Sequence, residues 1–265
     1  MGIGSPEFKN FFGVRPSDQN ALDLFAGEWS SAPPPSSSGL EAGEMPLYDD
    51  PRIRWAQDQL IEIGVDGGFT GRDVLELGPL EAGHTFLLDR LQARSIIAVE
   101  ANGRAYLKCL LAKEAFGITR ARFLLGDCAE LLRASDRRYD VGVACGVLYH
   151  LTNPLELLEL LARRCDALFL WTVVYDPEFL ASRPGSASLF SDTLSMTHAG
   201  FEHTVHRYNY VQRGSERFSG GGHPYSHWME KPGILGALRH FGFTEIRAED
   251  EPNPLGPALR VAAAR

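Results

Sequence analysis

The stretch "VLELGPLEAGHT", Val74 to Thr85, carries the reading of the whole chain. It begins as an apolar run, turns on Glu76 and Gly78, and reaches a second glycine, Gly83, five residues later. An apolar run that stops at a glycine and gives way to helical spacing is a buried strand feeding a helix through a tight turn. Such a turn offers backbone N–H groups and the positive end of a helix at the carboxyl edge of a sheet, where open α/β folds hold ligands. A dinucleotide turn needs GxGxxG; here Gly78 and Gly83 fill the first and third places and Leu80 the second. The second glycine lets the backbone approach a pyrophosphate, so Leu80 argues against NAD or FAD.

Downstream, short apolar runs alternate with helical periods. They are "SIIAVE", a helix over "GRAYLKCLLAKEAF", "ARFLLGD", a helix near "CAELLRA", "YDVGVACG", a helix over "PLELLELLARR", and "ALFLWTVV". With "RDVLELG" and a helix over "HTFLLDRLQA", they predict five parallel strands covered on both faces, a Rossmann-like doubly wound α/β fold. A helix over "PGILGALRHFG" and strands near "TEIRAED" and "ALRVAAA" add an antiparallel C-terminal hairpin, giving a mostly parallel seven-stranded sheet. Capping is local in "NPLELLELLARR": Asn153 caps, Pro154 takes the first helical position, and Glu156, Arg163 and Arg164 complement the helix ends. The alternation stops after the fifth strand, and about residues 175–230, rich in Gly, Ser, His and Tyr, are expected to form a substrate lid.

Upstream, "MGIGSPEF", residues 1–8, has the look of a vector-derived scar, and residues 9–48 form an N-terminal extension. A short helix capped by Ser17 precedes a Pro/Ser/Gly stretch at about 30–46 that reads as a linker or a surface crossing. Asp50 caps and Pro51 starts a helix with Ile53, Trp55, Leu60 and Ile61 as apolar contacts, opening the main domain at 49–265.

Composition bounds the function. The chain has 265 residues, 44% of them hydrophobic and 23% charged, enough for a full core. A formal net charge of −8 argues against a nucleic-acid partner, whose affinity is built from Lys and Arg. Cys109, Cys128, Cys145 and Cys165 are widely spaced inside apolar segments and read as reduced thiols of a cytoplasmic protein. No apolar run approaches the ~18 residues of a spanning helix, and no signal-peptide core opens the chain.

Three acids close three successive strands. Glu76 ends the first, and in a pocket it favours a ligand carrying an ammonium or sulfonium charge, a description that suits S-adenosylmethionine. Glu100 ends the second strand, 22 residues after Gly78, where a carboxylate accepts hydrogen bonds from both ribose hydroxyls. Asp127 ends the third, placed to accept a hydrogen bond from an adenine amino group.

With these motifs, "VLELGPLEAGHT", "IIAVEAN", "FLLGD" and "VACGVLYHLTNPLELL", the chain resembles the class I S-adenosylmethionine-dependent methyltransferases over about residues 50–175. "GVLYH" resembles the bacterial tRNA wobble-uridine carboxymethyl transferases and their relatives, although "GVLYHL" continues without the arginine typical of the tRNA enzymes. The resemblance implies that Glu76, Gly78 and Leu80 line the methionine end of the cofactor. It assigns Glu100, with Ala101 and Asn102 after it, to the ribose, Asp127 and Cys128 to the adenine, and Cys145 and Gly146 to the methionine backbone. S-adenosylhomocysteine is then the product.

Methyl transfer is an in-line displacement that needs an aligned nucleophile and, for oxygen or nitrogen, a base. His150 follows the fourth strand and is the first candidate for base or orienter, with Tyr149 beside it on the substrate side. The insertion adds His223 and His227 as further catalytic candidates and Tyr225 and Trp228 as an aromatic wall over a planar substrate. His203 and His206 complete a four-histidine group, but a metal site in this class would recruit carboxylates too, so no metal is expected. The leading reading is methylation of a small molecule by a soluble enzyme; the alternatives are a tRNA-modifying methyl or carboxymethyl transferase and a non-catalytic cofactor-binding module.

Overall fold

The computed structural model describes residues 12–210, 221–253 and 256–265. The presumed scar at 1–8 lies outside them, as do residues 211–220 of the expected lid.

Helix α1 (Asp18–Leu22) is capped by the Ser17 hydroxyl, which accepts from the Asn20 N–H at 3.3 Å. Helix α2 (Pro51–Glu62) starts at Asp50, whose carboxylate accepts from the Arg52 N–H at 2.9 Å, and Ile53, Ala56 and Leu60 face the core. Ile61, expected as a core contact, is 47% exposed, because it lies one residue and about 100° of helical rotation beyond Leu60. Trp55 packs against Phe169 at the edge of the core and lies under the Arg260 guanidinium.

The strands β1 (Asp73–Leu77), β2 (Ser95–Glu100), β3 (Ala121–Leu125), β4 (Tyr139–Cys145) and β5 (Cys165–Val173) are parallel. They alternate with α3 (Gly83–Arg90), α4 (Gly103–Ala115), α5 (Cys128–Ala134) and α6 (Pro154–Arg164). Asn153 caps α6, accepting from the Glu156 N–H at 3.3 Å, and Leu155, Leu158 and Leu161 are buried. After β5 come α7 (Pro177–Ala181), α8 (Pro184–Ala187) and an antiparallel three-stranded sheet of β6 (Phe190–His198), β7 (Phe201–Asn209) and β8 (Tyr225–Met229). Helix α9 (Lys231–His240) leads to β9 (Glu245–Glu251) and β10 (Ala258–Ala264), antiparallel to each other, with β10 antiparallel to β5.

The seven-stranded order is β3-β2-β1-β4-β5-β10-β9, a Rossmann-like, doubly wound arrangement. Connections leave β1 in one direction and return at β4 on its other side, so the switch point lies between the carboxyl ends of β1 and β4. Gly78 and Val147 meet across it: a Cβ on Gly78 would lie 2.9 Å from Val147 Cγ2, and Gly78 has φ +63, so both space and backbone favour glycine there.

Residues 28–48 form a strap packed on α3 and α4. The N–H groups of Ser30 and Ser31 donate to the Glu81 carboxylate, at 3.0 and 2.7 Å. Lys108 of α4 pairs with the same carboxylate and donates to the Glu28 carbonyl at 2.9 Å, and the Tyr48 hydroxyl donates to the Glu81 carbonyl.

Candidate functional site

The turn after β1 alternates unusual backbone conformations. Gly78, Leu80 and Ala82 have φ of 63, 55 and 64. A leucine in the left-handed region costs about 1–2 kcal/mol, and the conformation aims the Leu80 N–H at Glu100 Oε2, 3.0 Å away. Glu100 Oε1 accepts from the Asn102 N–H at 2.8 Å. Each oxygen therefore has one backbone donor and keeps a lone pair for a ligand hydroxyl. Burial pushes the Glu100 carboxyl up, against the backbone donors that hold it down.

Glu76 is 1% exposed. Its Oε2 accepts from the Thr85 hydroxyl at 2.6 Å, while its Oε1 is buried with no hydrogen-bond partner among the described residues. Burial pushes this carboxyl up to about 7. A buried carboxylate oxygen left unpaired is costly, and a cationic ligand group is what would relieve it.

Asp127 is exposed and caps α5, its Oδ1 accepting from the Ala129 and Glu130 N–H groups at 2.7 and 3.2 Å. Cys128 follows it, its thiol pushed up to about 12 by burial. Ala101 is exposed, and Asn102 caps α4 by accepting from the Arg104 and Ala105 N–H groups, both at 3.0 Å. Gly146, at φ +86, turns the chain after Cys145 and donates to the Trp171 carbonyl at 2.9 Å. The structure thus gathers Glu76, Gly78, Leu80, Glu100, Cys145 and Gly146 around the switch point, with Asp127 and Cys128 at the neighbouring strand end.

Sequence reading missed the residues beside Cys145. His84 Nε2 lies 2.8 Å from Asp50 Oδ2, and Arg52 grips the same carboxylate, its Nε 2.9 Å from both oxygens. Burial pushes the His84 imidazole down, but Cys145 and Asp50 outweigh it and carry the ring up to about 10. Burial pushes the Asp50 carboxyl up, and the bonds from His84 and Arg52 reverse this, holding it well below the usual range.

The 3-10 turn Leu148–His150 follows β4, and the insertion packs on it. The His227 N–H donates to the Leu151 carbonyl at 2.8 Å and its Nδ1–H to the Thr152 carbonyl at 2.7 Å, so His227 anchors β8 to this turn. Tyr149 meets Trp228 edge-on at 5.8 Å, and Trp228 stacks on Tyr208 at 4.9 Å with Phe190 at its edge. His150 Nδ1 lies 2.7 Å from the Tyr210 hydroxyl, and burial pushes the imidazole down to about 4. Tyr225, expected beside Trp228, sits under the Arg207 guanidinium instead, because residues three apart on a strand point to opposite faces. His223 is exposed. His206 stacks on Tyr175 and bonds Thr193 and Glu230, apart from His227. Among the described residues no three His, Cys, Asp or Glu side chains converge as a metal-ligand set, and no helix is long and apolar enough to cross a membrane.

The sequence matches no protein-family model and no curated protein. The structure is similar to the N-terminal domain of EvdMO1 in the presence of SAH and D-fucose, with TM-score 0.63 and 22% identity over 93% of each chain. It is also similar to an S-adenosylmethionine-dependent methyltransferase from Clostridium acetobutylicum, with TM-score 0.53 and 12% identity over 80% of this chain and 92% of that one. The magnesium protoporphyrin IX methyltransferase of Synechocystis with bound SAH gives TM-score 0.52 and 16% identity, over 83% of this chain and 91% of that one. These likenesses establish the Rossmann-like methyltransferase fold, and none of the three singles out the tRNA wobble-uridine subgroup.

Proposed function

We propose that this chain is an S-adenosylmethionine-dependent methyltransferase acting on an oxygen or nitrogen of a small molecule. The observation that carries the reading is the unpartnered Oε1 of Glu76 at the switch point, a buried acceptor suited to the cationic methionine end. Glu100, with one lone pair spare on each oxygen, suits the ribose hydroxyls, and the Asp127–Cys128 corner suits the adenine. Two of the similar structures hold SAH. The bound cofactor supplies an electrophilic methyl group on a sulfonium.

The chain's own residues then align and shield. Tyr149, Trp228, Tyr208 and Phe190 form an apolar wall that excludes water from the carboxyl side of β4. With Nδ1–H given to the Tyr210 hydroxyl, His150 Nε2 holds a lone pair toward the proton of the acceptor. An imidazole held near 4 orients that group first and takes its proton only as the nucleophile gives its electrons to the methyl carbon. His227, spent on two backbone carbonyls, positions the turn that carries His150; His223 and Tyr225 are secondary candidates for acceptor contact.

The test is transfer of isotope-labelled methyl from S-adenosylmethionine into three pools: a metabolite extract, a sugar panel and total tRNA. The sugar panel is included because EvdMO1 was crystallised in the presence of D-fucose. Label in small molecules is expected. Label in tRNA alone would overturn the acceptor class, and binding without label in any pool would favour a non-catalytic module.

A further inference from the structure

A second half-used side chain stands near the switch point, opposite in sign to Glu76. Arg52, in the first turn of α2, gives its Nε–H to both oxygens of Asp50 at 2.9 Å and an Nη2 hydrogen to Asp50 Oδ2. A guanidinium has five N–H donors. The remaining ones, both on Nη1 and one on Nη2, have no hydrogen-bond partner among the described residues.

The free edge is held in place. The Arg52 side chain is 18% exposed, and its guanidinium carbon lies 4.4 Å from the ring centre of Trp171. The gripping carboxylate is fixed in turn, with His84 Nε2 2.8 Å from Asp50 Oδ2. Trp171 itself is 5% exposed, and its indole N–H is buried with no partner among the described residues.

This corner faces the same ligand space as Glu76. Glu76 pairs in register with Val143 of β4, Val143 with Phe169 of β5, and Cys145 with Trp171, so Glu76 and Trp171 project from one face of the sheet. The first turn of α3 ties the two ends together: Thr85 bonds Glu76, and its neighbour His84 bonds Asp50. Spare acceptors therefore stand on one side of that turn and spare donors on the other. Glu251 of β9 is the other carboxylate that acts on Arg52; no hydrogen bond joins them among the described residues, and Glu251 Oε2 is also buried without a partner.

We propose that the free edge of Arg52 takes the carboxylate of the ligand's amino-acid end while Glu76 takes its ammonium, which makes Arg52 the residue that selects cofactors carrying an α-carboxylate. The proposal rests on the S-adenosylmethionine reading of the switch point. An amino-acid end is a zwitterion, and Glu76 alone would accept any ammonium, with or without a carboxylate beside it. A guanidinium edge meets a carboxylate with two parallel N–H···O bonds, so it reads the group that Glu76 cannot. Asp50, His84 and Trp171 are positioning residues that hold the edge in readiness.

The experiment is calorimetric titration of the full chain with three ligands: S-adenosylhomocysteine, its decarboxylated analogue, which keeps the ammonium, and 5′-methylthioadenosine, which lacks both charged groups. The wild type is expected to bind S-adenosylhomocysteine at least about tenfold more tightly than the decarboxylated analogue. Arg52→Met, checked for folding by its thermal melt, should weaken S-adenosylhomocysteine about tenfold to a hundredfold and the other two ligands by less than about twofold. Arg52→Lys, which keeps the charge and loses the fork, should fall between. Equal affinity of the wild type for S-adenosylhomocysteine and its decarboxylated analogue would overturn the proposal without any variant and leave the cofactor reading standing. An equal loss for all three ligands in a folded Arg52→Met would overturn it too, placing Arg52 in the fold with Asp50 or Glu251. No saturable binding of any ligand by the wild type would overturn the cofactor reading and the proposal with it.

Discussion

Two glutamates five residues apart, Glu76 and Glu81, are both fully buried at the same turn, and their surroundings differ. The Glu81 carboxylate is saturated: Lys108 neutralises it and the N–H groups of Ser30 and Ser31 fill its remaining acceptor positions. Among the described residues, the Glu76 carboxylate has one hydroxyl donor on one oxygen and none on the other. A saturated buried charge fastens pieces of the fold together; a half-satisfied one waits for something from outside. Burial alone does not tell a structural acid from a binding one, whereas the count of its donors does.

The comparison breaks most readily at Glu81. Glu81→Ala leaves the Lys108 ammonium buried without its partner, and removing one member of a buried pair costs about 3–5 kcal/mol. A denaturant melt should show that loss together with release of the strap, and a melt like the wild type's would mean that Glu81 is not the fastening.

At Glu76 the expected stability change has the opposite sign. Its carboxyl is pushed from 4.5 to about 7 in the folded chain, so the folded state binds the proton more tightly than the unfolded one. The associated stability is full below 4.5 and is lost as pH rises through about 7, amounting to about 3 kcal/mol across that window. Glu76→Gln, which cannot ionise, should be the more stable protein above that window, and the two stability–pH curves should converge below it. Parallel curves would contradict a buried, raised carboxyl.

The two other strand-end acids sharpen the same distinction with smaller effects. Glu100→Ala removes acceptors for two ligand hydroxyls and should weaken S-adenosylhomocysteine binding by about 1.5–3 kcal/mol, read by calorimetric titration. Asp127→Ala should destabilise the chain by about 1 kcal/mol through loss of the α5 cap, since one of its oxygens already serves the helix. A larger loss of stability than of binding at Glu100 would put it with Glu81 and not with Glu76.

What was legible in the sequence follows from range along the chain. The alternation of apolar runs and helical periods is local, so the parallel sheet, its hairpin and the caps at Ser17, Asp50 and Asn153 were readable. The acids at 76, 100 and 127 were readable because each closes its own strand. Partnerships were not readable: Asp50 meets His84 34 residues on, Glu81 meets Lys108 27 residues on, and His227 meets Thr152 across 75. The stretch at 30–46 reads as a linker or a surface crossing because its residues favour no regular element; the structure shows the crossing, and its backbone N–H groups are what Glu81 needs. Tyr225 and Trp228 looked like one wall because they are close in sequence, and the alternation of a strand separates them. Ile61 had the right chemistry for the core and the wrong helical phase.

The central claim is that the switch point between β1 and β4 binds S-adenosylmethionine through the half-satisfied carboxylate of Glu76. The direct measurement is calorimetric titration of the wild type and Glu76→Gln with S-adenosylmethionine, in buffers of different ionisation enthalpy. The wild type should bind saturably and release a proton below about 7, as the cationic end of the ligand draws Glu76 into its ionised form. Glu76→Gln should bind more weakly by about 1.5–3 kcal/mol and release none. No saturable binding by the wild type, or equal affinity and equal proton release in the two proteins, would contradict the account.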